Sequence, residues 1–320
     1  MNKINKKKWL NYILSPLLLC LLLYLIYRQL QQQQNLQQEW KQFLQHLQFR
    51  QSFTLAIVIL LAPINWSIES LKWKVLLQKI EPIPFRKAFA SVLTGLAFAI
   101  VTPSKIGDFA GRILYLSNQK KLKGAIAALI GNVTQTIVAL FIGTIGLIYM
   151  NFAYPALWLQ ITLLLSLIGI GLLIYIYFHL PQFYRWTQKY PKLRPLLVAM
   201  RVFNNYSKKE LLKIFFIAFL RFVVYNFQFL LLAQILGADL PWFGGFFLSA
   251  FMFWMISVIP SYFVADIGVR GFVAGLIFIQ TGIAANSISL LASSYGVWIL
   301  NLLVPAIIGS IFILFIKILK

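Results

Sequence analysis

Acidic residues are scarce in this chain: seven aspartates and glutamates stand against 29 lysines and arginines in 320 residues. Charge of either sign is scarce as well, at 11% of residues, where soluble globular chains carry about 25%. With 60% hydrophobic residues, that deficit excludes an ordinary soluble domain and indicates an integral membrane protein. The single cysteine, Cys20, excludes a disulfide framework and any cysteine-based metal site. Only His46 and His179 could act as imidazole ligands, so neither a metal nor another cofactor is expected. No G-x-x-x-x-G-K-[ST] run is present to cradle a nucleotide. The basic excess does not point to nucleic acid, because the lysines and arginines lie in blocks between apolar runs. Such blocks set membrane orientation and attract anionic lipid head groups.

What is abundant is apolar sequence of bilayer-crossing length, about 20 residues per span. Candidate spans are 10–27, 53–71, 124–150, 157–180, 214–236 and 287–316. The first follows Lys3, Lys6, Lys7 and Lys8 but lacks a small-residue cleavage site, so an uncleaved anchor is expected. The Gln-rich stretch 29–48 then reads as a spacer or short surface helix, with Trp40 and Phe43 able to sit at the interface. The chain divides into an N-terminal anchor and Gln-rich outer loop, 1–52, and a transmembrane domain, 53–320.

Two shorter apolar stretches, 88–101 and 242–259, end in "TPSKIGDFAGR" (102–112) and "IPSYFVADIGVRG" (259–271). Basic blocks on both sides of 88–111 each belong in the cytoplasm, which predicts a segment that enters the bilayer and returns. Pro103 and Gly107 supply the hinge, since proline removes a backbone donor and restricts its predecessor. A second hairpin over 242–281, with Pro260 and Gly268 at its hinge, enters from the opposite side. The expected fold is therefore an all-α polytopic membrane bundle of about six spans plus two re-entrant helical hairpins. Both termini are then cytoplasmic, and the cell membrane is the expected location.

The two motifs share Pro-Ser, then Asp, then Arg four residues later: Asp108–Arg112 and Asp266–Arg270. On a helix that spacing puts carboxylate and guanidinium on one face. Charges in a bilayer are expensive unless paired or facing a polar cavity. Gly/Pro-interrupted segments in corresponding halves are the sequence pointer to an inverted repeat and a transport site. Arg112 and Arg270 are suited to a phosphate, with the aspartates orienting them or meeting a cationic head group; the plainer reading is two structural pairs. Arg221, in "IAFLRFVVYNFQF", either lines a cavity or snorkels to the cytoplasmic side. Lys105 is expected to mark the interface. Glu69, with Lys72 and Lys74 close by, is expected in a surface ion pair at its helix end. Asn132, Thr134 and Gln135 are expected as interhelical hydrogen-bond groups.

These motifs and the hydropathy profile resemble the lysylphosphatidylglycerol synthase transmembrane-region family, over roughly 50–316. The resemblance implies a helical bundle with a lipid-accessible cavity that moves a phospholipid or related amphiphile between leaflets. By position Pro103, Gly107, Asp108 and Arg112 match the first family motif, and Pro260, Gly268 and Arg270 the second. Many members carry a glutamate after the second arginine; here Gly271 stands there, and the nearby carboxylate is Asp266. No aminoacyl-transferase domain follows Lys320, so the chain is not expected to make an aminoacylated lipid.

Enzymatic readings fare poorly. An intramembrane aspartyl protease would carry Gly-x-Gly-Asp, but the run is Lys105-Ile106-Gly107-Asp108, and no Tyr-Asp is present. A glycosyltransferase would want paired outer-loop carboxylates, where only Glu39 and Asp239 occur; neither histidine has a serine-protease motif. The expectation is a non-enzymatic lipid flippase with Asp108, Arg112, Arg221, Asp266 and Arg270 at the head group, moving substrate downhill, by ion coupling or driven by removal of the product. The alternative is a non-catalytic partner of a separate lipid-modifying enzyme.

Overall fold

A computed structural model describes residues 36–46, 52–102, 106–187, 202, 206–238, 240–259, 263–279 and 286–314. Its elements are all helical: α1 (Leu36–His46), α2 (Ser52–Leu77), α3 (Phe85–Val101), α4 (Gly107–Ile113), α5 (Lys121–Ala153) and α6 (Leu157–Thr187). There follow α7 (Lys208–Ile235), α8 (Trp242–Val258), α9 (Phe263–Ala274), α10 (Ser287–Trp298) and α11 (Val304–Leu314). π-helical turns at Gly275–Ile279 and Ile299–Leu303 extend α9 and join α10 to α11. Five helical stretches are long and apolar enough to cross a membrane: Phe53–Leu77, Asn118–Phe152, Leu157–His179, Lys208–Ile235 and Ser287–Leu314. They correspond to five of the six expected spans; the sixth, 10–27 with Cys20, lies outside the described residues. The Gln-rich stretch does contain a surface helix, α1, where Trp40 stacks on Phe43 at 5.5 Å.

Local chemistry sets the helix ends. Ser207 and Glu210 form a reciprocal capping box at the start of α7. At its other end Gly237, at φ 79°, takes the left-handed conformation. There Ala238 N–H reaches the Ala233 carbonyl at 2.9 Å and Gly237 N–H that of Gln234 at 3.1 Å. Glu39 of α1 accepts from the Ser287 N–H at 3.1 Å, and its backbone carbonyl accepts from Asn286 Nδ2 at 2.9 Å. α1 is thereby tied to the N-terminus of α10.

The first hairpin is closed by glycine. Gly95 of α3 and Gly111 of α4 meet so closely that a Cβ on Gly111 would stand 2.7 Å from the Gly95 Cα. Thr94 pairs with Tyr115, and Ser91 Oγ donates to the Arg112 carbonyl. From Ser91 on Arg112, through Gly95 on Gly111, to the Phe98 carbonyl on Gly107, the backbone approaches fall earlier on the returning chain as α3 advances, so the two arms are antiparallel. Gly107 is the first residue of α4; its N–H donates to Thr102 Oγ1 at 2.7 Å, and that hydroxyl donates to the Phe98 carbonyl. In the second motif, Gly268 lies inside α9. Pro103, Lys105 and Pro260 lie outside the described residues.

Packing between the halves is exchange-related. α2 packs along α7 and is antiparallel to it: Val58 meets Gln228, and seven residues further on Asn65 meets Arg221, seven residues back. α3 packs on α11, where a Cβ on Gly309 would fall on the Leu93 carbonyl; α8 packs on α5, with Gly143 and Gly146 against Trp254 and Phe247. Thus α2-α3-α4-α5 makes the same set of contacts as α7-α8-α9-α10/α11, each half lending its last span to the other's hairpin. The exposed α6 between them has no counterpart among the described residues. One extra span reverses the direction of everything after it, which is why α2 and α7 run antiparallel.

Candidate functional site

α2 and α7 cross near their midpoints, at Asn65 and Arg221, deep in what would otherwise be apolar packing. Arg221 Nε donates to Asn65 Oδ1 at 3.1 Å, and its Nη1 lies 3.0 Å from Glu69 Oε2 and 3.3 Å from Gln135 Oε1. The guanidinium therefore turns inward, which decides between the two readings its sequence left open. α7 begins at Lys208, so Arg221 sits about 20 Å along the helix at 1.5 Å per residue, too deep for the start of the helix to compete.

Glu69 is the centre of this cluster. Its carboxylate receives Lys72 Nζ at 2.7 Å, Arg112 Nη1 at 2.8 Å and Arg221 Nη1 at 3.0 Å. The residue is 3% exposed and Lys72 1%. This corrects the expectation of a surface ion pair at the end of its helix: α2 buries Glu69 against α4, α5 and α7. Lys72 Nζ also reaches the Gly131 carbonyl of α5 at 3.4 Å, while Lys74 stays half-exposed.

The first motif joins here. Arg112 Nε donates to Asp108 Oδ1 at 2.8 Å, the i,i+4 pair predicted from spacing, and its guanidinium lies 5.7 Å above the Trp73 ring. Trp73 Nε1 donates to Ser91 Oγ, so α2, α3 and α4 hold the arginine from three sides. Gly95 is needed because a Cβ would come within 2.5 Å of Asp108 Oδ1.

The second motif forms the matching pair, with Arg270 Nε 3.3 Å from Asp266 Oδ2 and both residues buried. Tyr225, one turn beyond Arg221 on α7, lies beside the Arg270 guanidinium and packs edge-on against Phe253 of α8. Tyr295 of α10 donates to the Ile267 carbonyl beside it. The two clusters therefore adjoin along α7. Together they contain every buried charged side chain among the described residues, plus the part-exposed Arg221. Four cations (Lys72, Arg112, Arg221, Arg270) face three carboxylates (Glu69, Asp108, Asp266), leaving a formal charge of +1.

The family model for the lysylphosphatidylglycerol synthase TM region matches residues 9–309. The chain belongs to this family. No curated protein matches it. Family membership and the five apolar helices make it a multi-pass membrane protein of the lysylphosphatidylglycerol synthase transmembrane type.

Within this family member, all five site residues expected from sequence fall in the two adjoining clusters. Glu69, Lys72, Asn65, Gln135 and Tyr225 complete them. Gln135 was expected as interhelical glue and does bond between helices, although its partner is the charged Arg221. Asn226 and Gln228, next to Arg221 in sequence, go elsewhere: Asn226 Nδ2 to the Phe246 carbonyl, Gln228 Nε2 to the Val58 carbonyl. An apolar groove of about 380 Å³ beside Pro63, lined by Ile64, Ser67, Ile68, Leu71 and Phe85, opens on the outer flank of α2. It lies away from the charged face. No group of three or more His, Cys, Asp or Glu among the described residues is placed to hold a metal ion.

Proposed function

We propose that this protein carries the polar head group of a phospholipid or related amphiphile between the leaflets of the cell membrane, without making or breaking a covalent bond. The observation that carries this reading is the net positive, buried network at the crossing of α2 and α7. An unbalanced charge inside a bilayer is expensive, and one anionic group such as a lipid phosphodiester neutralises it. Guanidinium groups suit that partner because they present paired N–H donors to oxyanions.

The arrangement also suits alternating access. Two exchange-related halves meet at the α2–α7 contact, and rocking of inverted repeats about a central site is how many transporters expose it to each side in turn. Arg221 is the member with the most exposed side chain, at 26%, and is where a head group first meets the network. Acyl chains stay in lipid throughout. The basic blocks at Lys79–Lys87 and Lys120–Lys123 face the cytoplasm in this reading, as do both termini. The sequence carries no G-x-x-x-x-G-K-[ST] nucleotide loop, and in this reading the movement runs downhill, with an ion, or is driven by removal of the product.

The test is reconstitution: purified protein in liposomes containing labelled phosphatidylglycerol, with outer-leaflet label quenched over time. Protein-dependent loss of the protected inner pool supports translocation. Kinetics equal to protein-free liposomes across a phospholipid panel contradict it and favour a partner role beside a separate lipid-modifying enzyme.

A further inference from the structure

The two motif arginines are not equivalent. Arg112 has a carboxylate on each side: Asp108 on Nε and Glu69 on Nη1, both at 2.8 Å. Arg270 has Asp266 on Nε and the Tyr225 phenol beside it, and its Nη1 has no hydrogen-bond partner although the residue is only 6% exposed. A buried charged donor without an acceptor is an energetic liability unless something comes to fill it.

The relation between the halves says what is missing. Asn65 and Arg221, which touch across the α2–α7 crossing, are separated by 156 residues. The same separation takes Glu69 to Tyr225 and Lys72 to Gln228, and nearly the same one takes Asp108 to Asp266 and Arg112 to Arg270. The second half is thus the first half with its Glu–Lys ion pair replaced by two neutral side chains. Where Glu69 gives Arg112 its second carboxylate, Tyr225 gives Arg270 a phenol.

We propose that an oxyanion of the ligand, a phosphate oxygen in the first instance, occupies on Arg270 Nη1 the place that the Glu69 carboxylate occupies on Arg112 Nη1. Arg112 is then the built-in copy of the bound state, and Arg270 is the open site. The identification of the ligand as a lipid head group rests on the function proposed above; the oxyanion site itself rests only on the geometry. An anion bound there also offsets the +1 of the adjoining clusters, with Arg221 one turn away on α7.

The test is equilibrium binding to the full chain in detergent, with inorganic phosphate, short-chain phosphatidylglycerol and short-chain diacylglycerol as probes. The variants are Arg270→Gln, Arg270→Lys and Tyr225→Glu. Wild type is expected to bind phosphatidylglycerol and to prefer it over diacylglycerol. Arg270→Gln weakens that binding by about tenfold or more, as loss of a charge-assisted contact requires, and Arg270→Lys falls between. Tyr225→Glu is the decisive variant: it supplies the missing carboxylate from within, so it abolishes anion binding while melting at or above the wild-type temperature. Competition by inorganic phosphate shows that a free anion suffices, whereas phosphatidylglycerol binding without competition assigns the site to the esterified head group. Absence of binding to either phosphate-bearing probe, or unchanged binding in both Arg270→Gln and Tyr225→Glu, overturns the site. A protein that binds in this Arg270-dependent way but moves no lipid overturns the translocation reading and leaves the site standing.

Discussion

Glu69 holds three cations at distances of 2.7–3.0 Å, so its removal leaves Lys72 and Arg221 with neutral partners alone and Arg112 with Asp108 as the one remaining carboxylate. Breaking a buried ion pair from one side costs about 3–5 kcal/mol. Glu69→Gln is therefore expected to lower the melting temperature of the detergent-solubilised protein sharply, and Glu69→Gln/Lys72→Met to recover part of the loss by removing one orphaned cation. Equal melting of Glu69→Gln and wild type would contradict the central position given to this carboxylate. Sequence spacing could not reveal that position. Lys72 and Lys74 stand beside Glu69 in the chain and imitate a surface pair, whereas Arg112 and Arg221 arrive from 43 and 152 positions away. The Asp108–Arg112 and Asp266–Arg270 pairs were legible because both partners lie on one helical turn. Tyr225 was visible as a neighbour of Arg221, but only the three-dimensional relation to Glu69 gives it meaning.

At the scale of elements, the first hairpin depends on the Gly95–Gly111 approach. Gly111→Ala places a methyl group 2.7 Å from the Gly95 Cα, and overpacking of this kind costs about 1–3 kcal/mol. Gly171→Ala on α6 meets nothing within 4 Å and is expected to be neutral or slightly stabilising, since alanine favours helix over glycine. Thermal unfolding of the two variants side by side checks the contrast. A second junction ties the α2–α3 loop to the start of α5: Glu81 accepts from Ser117 N–H at 3.0 Å and Oγ at 2.8 Å, with Lys87 at 4.0 Å. Partial burial pushes this carboxyl up, but the Ser117 hydrogen bonds together with Lys87 and Lys120 outweigh it and hold the group below its ordinary range. A lowered native pKa gives stability that is complete above the unfolded value and is lost as pH falls through the native one. The stability deficit of Glu81→Gln should accordingly be full at neutral pH and vanish in acid; a deficit unchanged in acid would contradict it. Of the two glycines expected at hinges, Gly107 begins α4, whereas Gly268 lies inside α9. The helices were largely legible from hydropathy. Their partners were not, because all the spans are similarly apolar and pattern alone does not say that α3 packs on α11 and α8 on α5.

For the molecule as a whole, the exchange-related packing explains why two short motifs so far apart end up on adjoining clusters. Each hairpin brings an Asp–Arg pair to the same α2–α7 crossing from its own half. The sequence showed the repeat only at its most constrained residues, since the apolar positions between them tolerate any side chain of suitable size. The halves have then diverged in charge, with an ion pair on one side and neutral groups on the other, which leaves the network one anion short of balance. The most direct measurement of the central claim is leaflet exchange of labelled phosphatidylglycerol in liposomes carrying wild type, Arg112→Ala or Arg270→Ala, each verified as folded and inserted. The account predicts protein-dependent movement in wild type and its loss in both variants. Movement in both variants at the wild-type rate would contradict it and reduce the charged network to structural pairing.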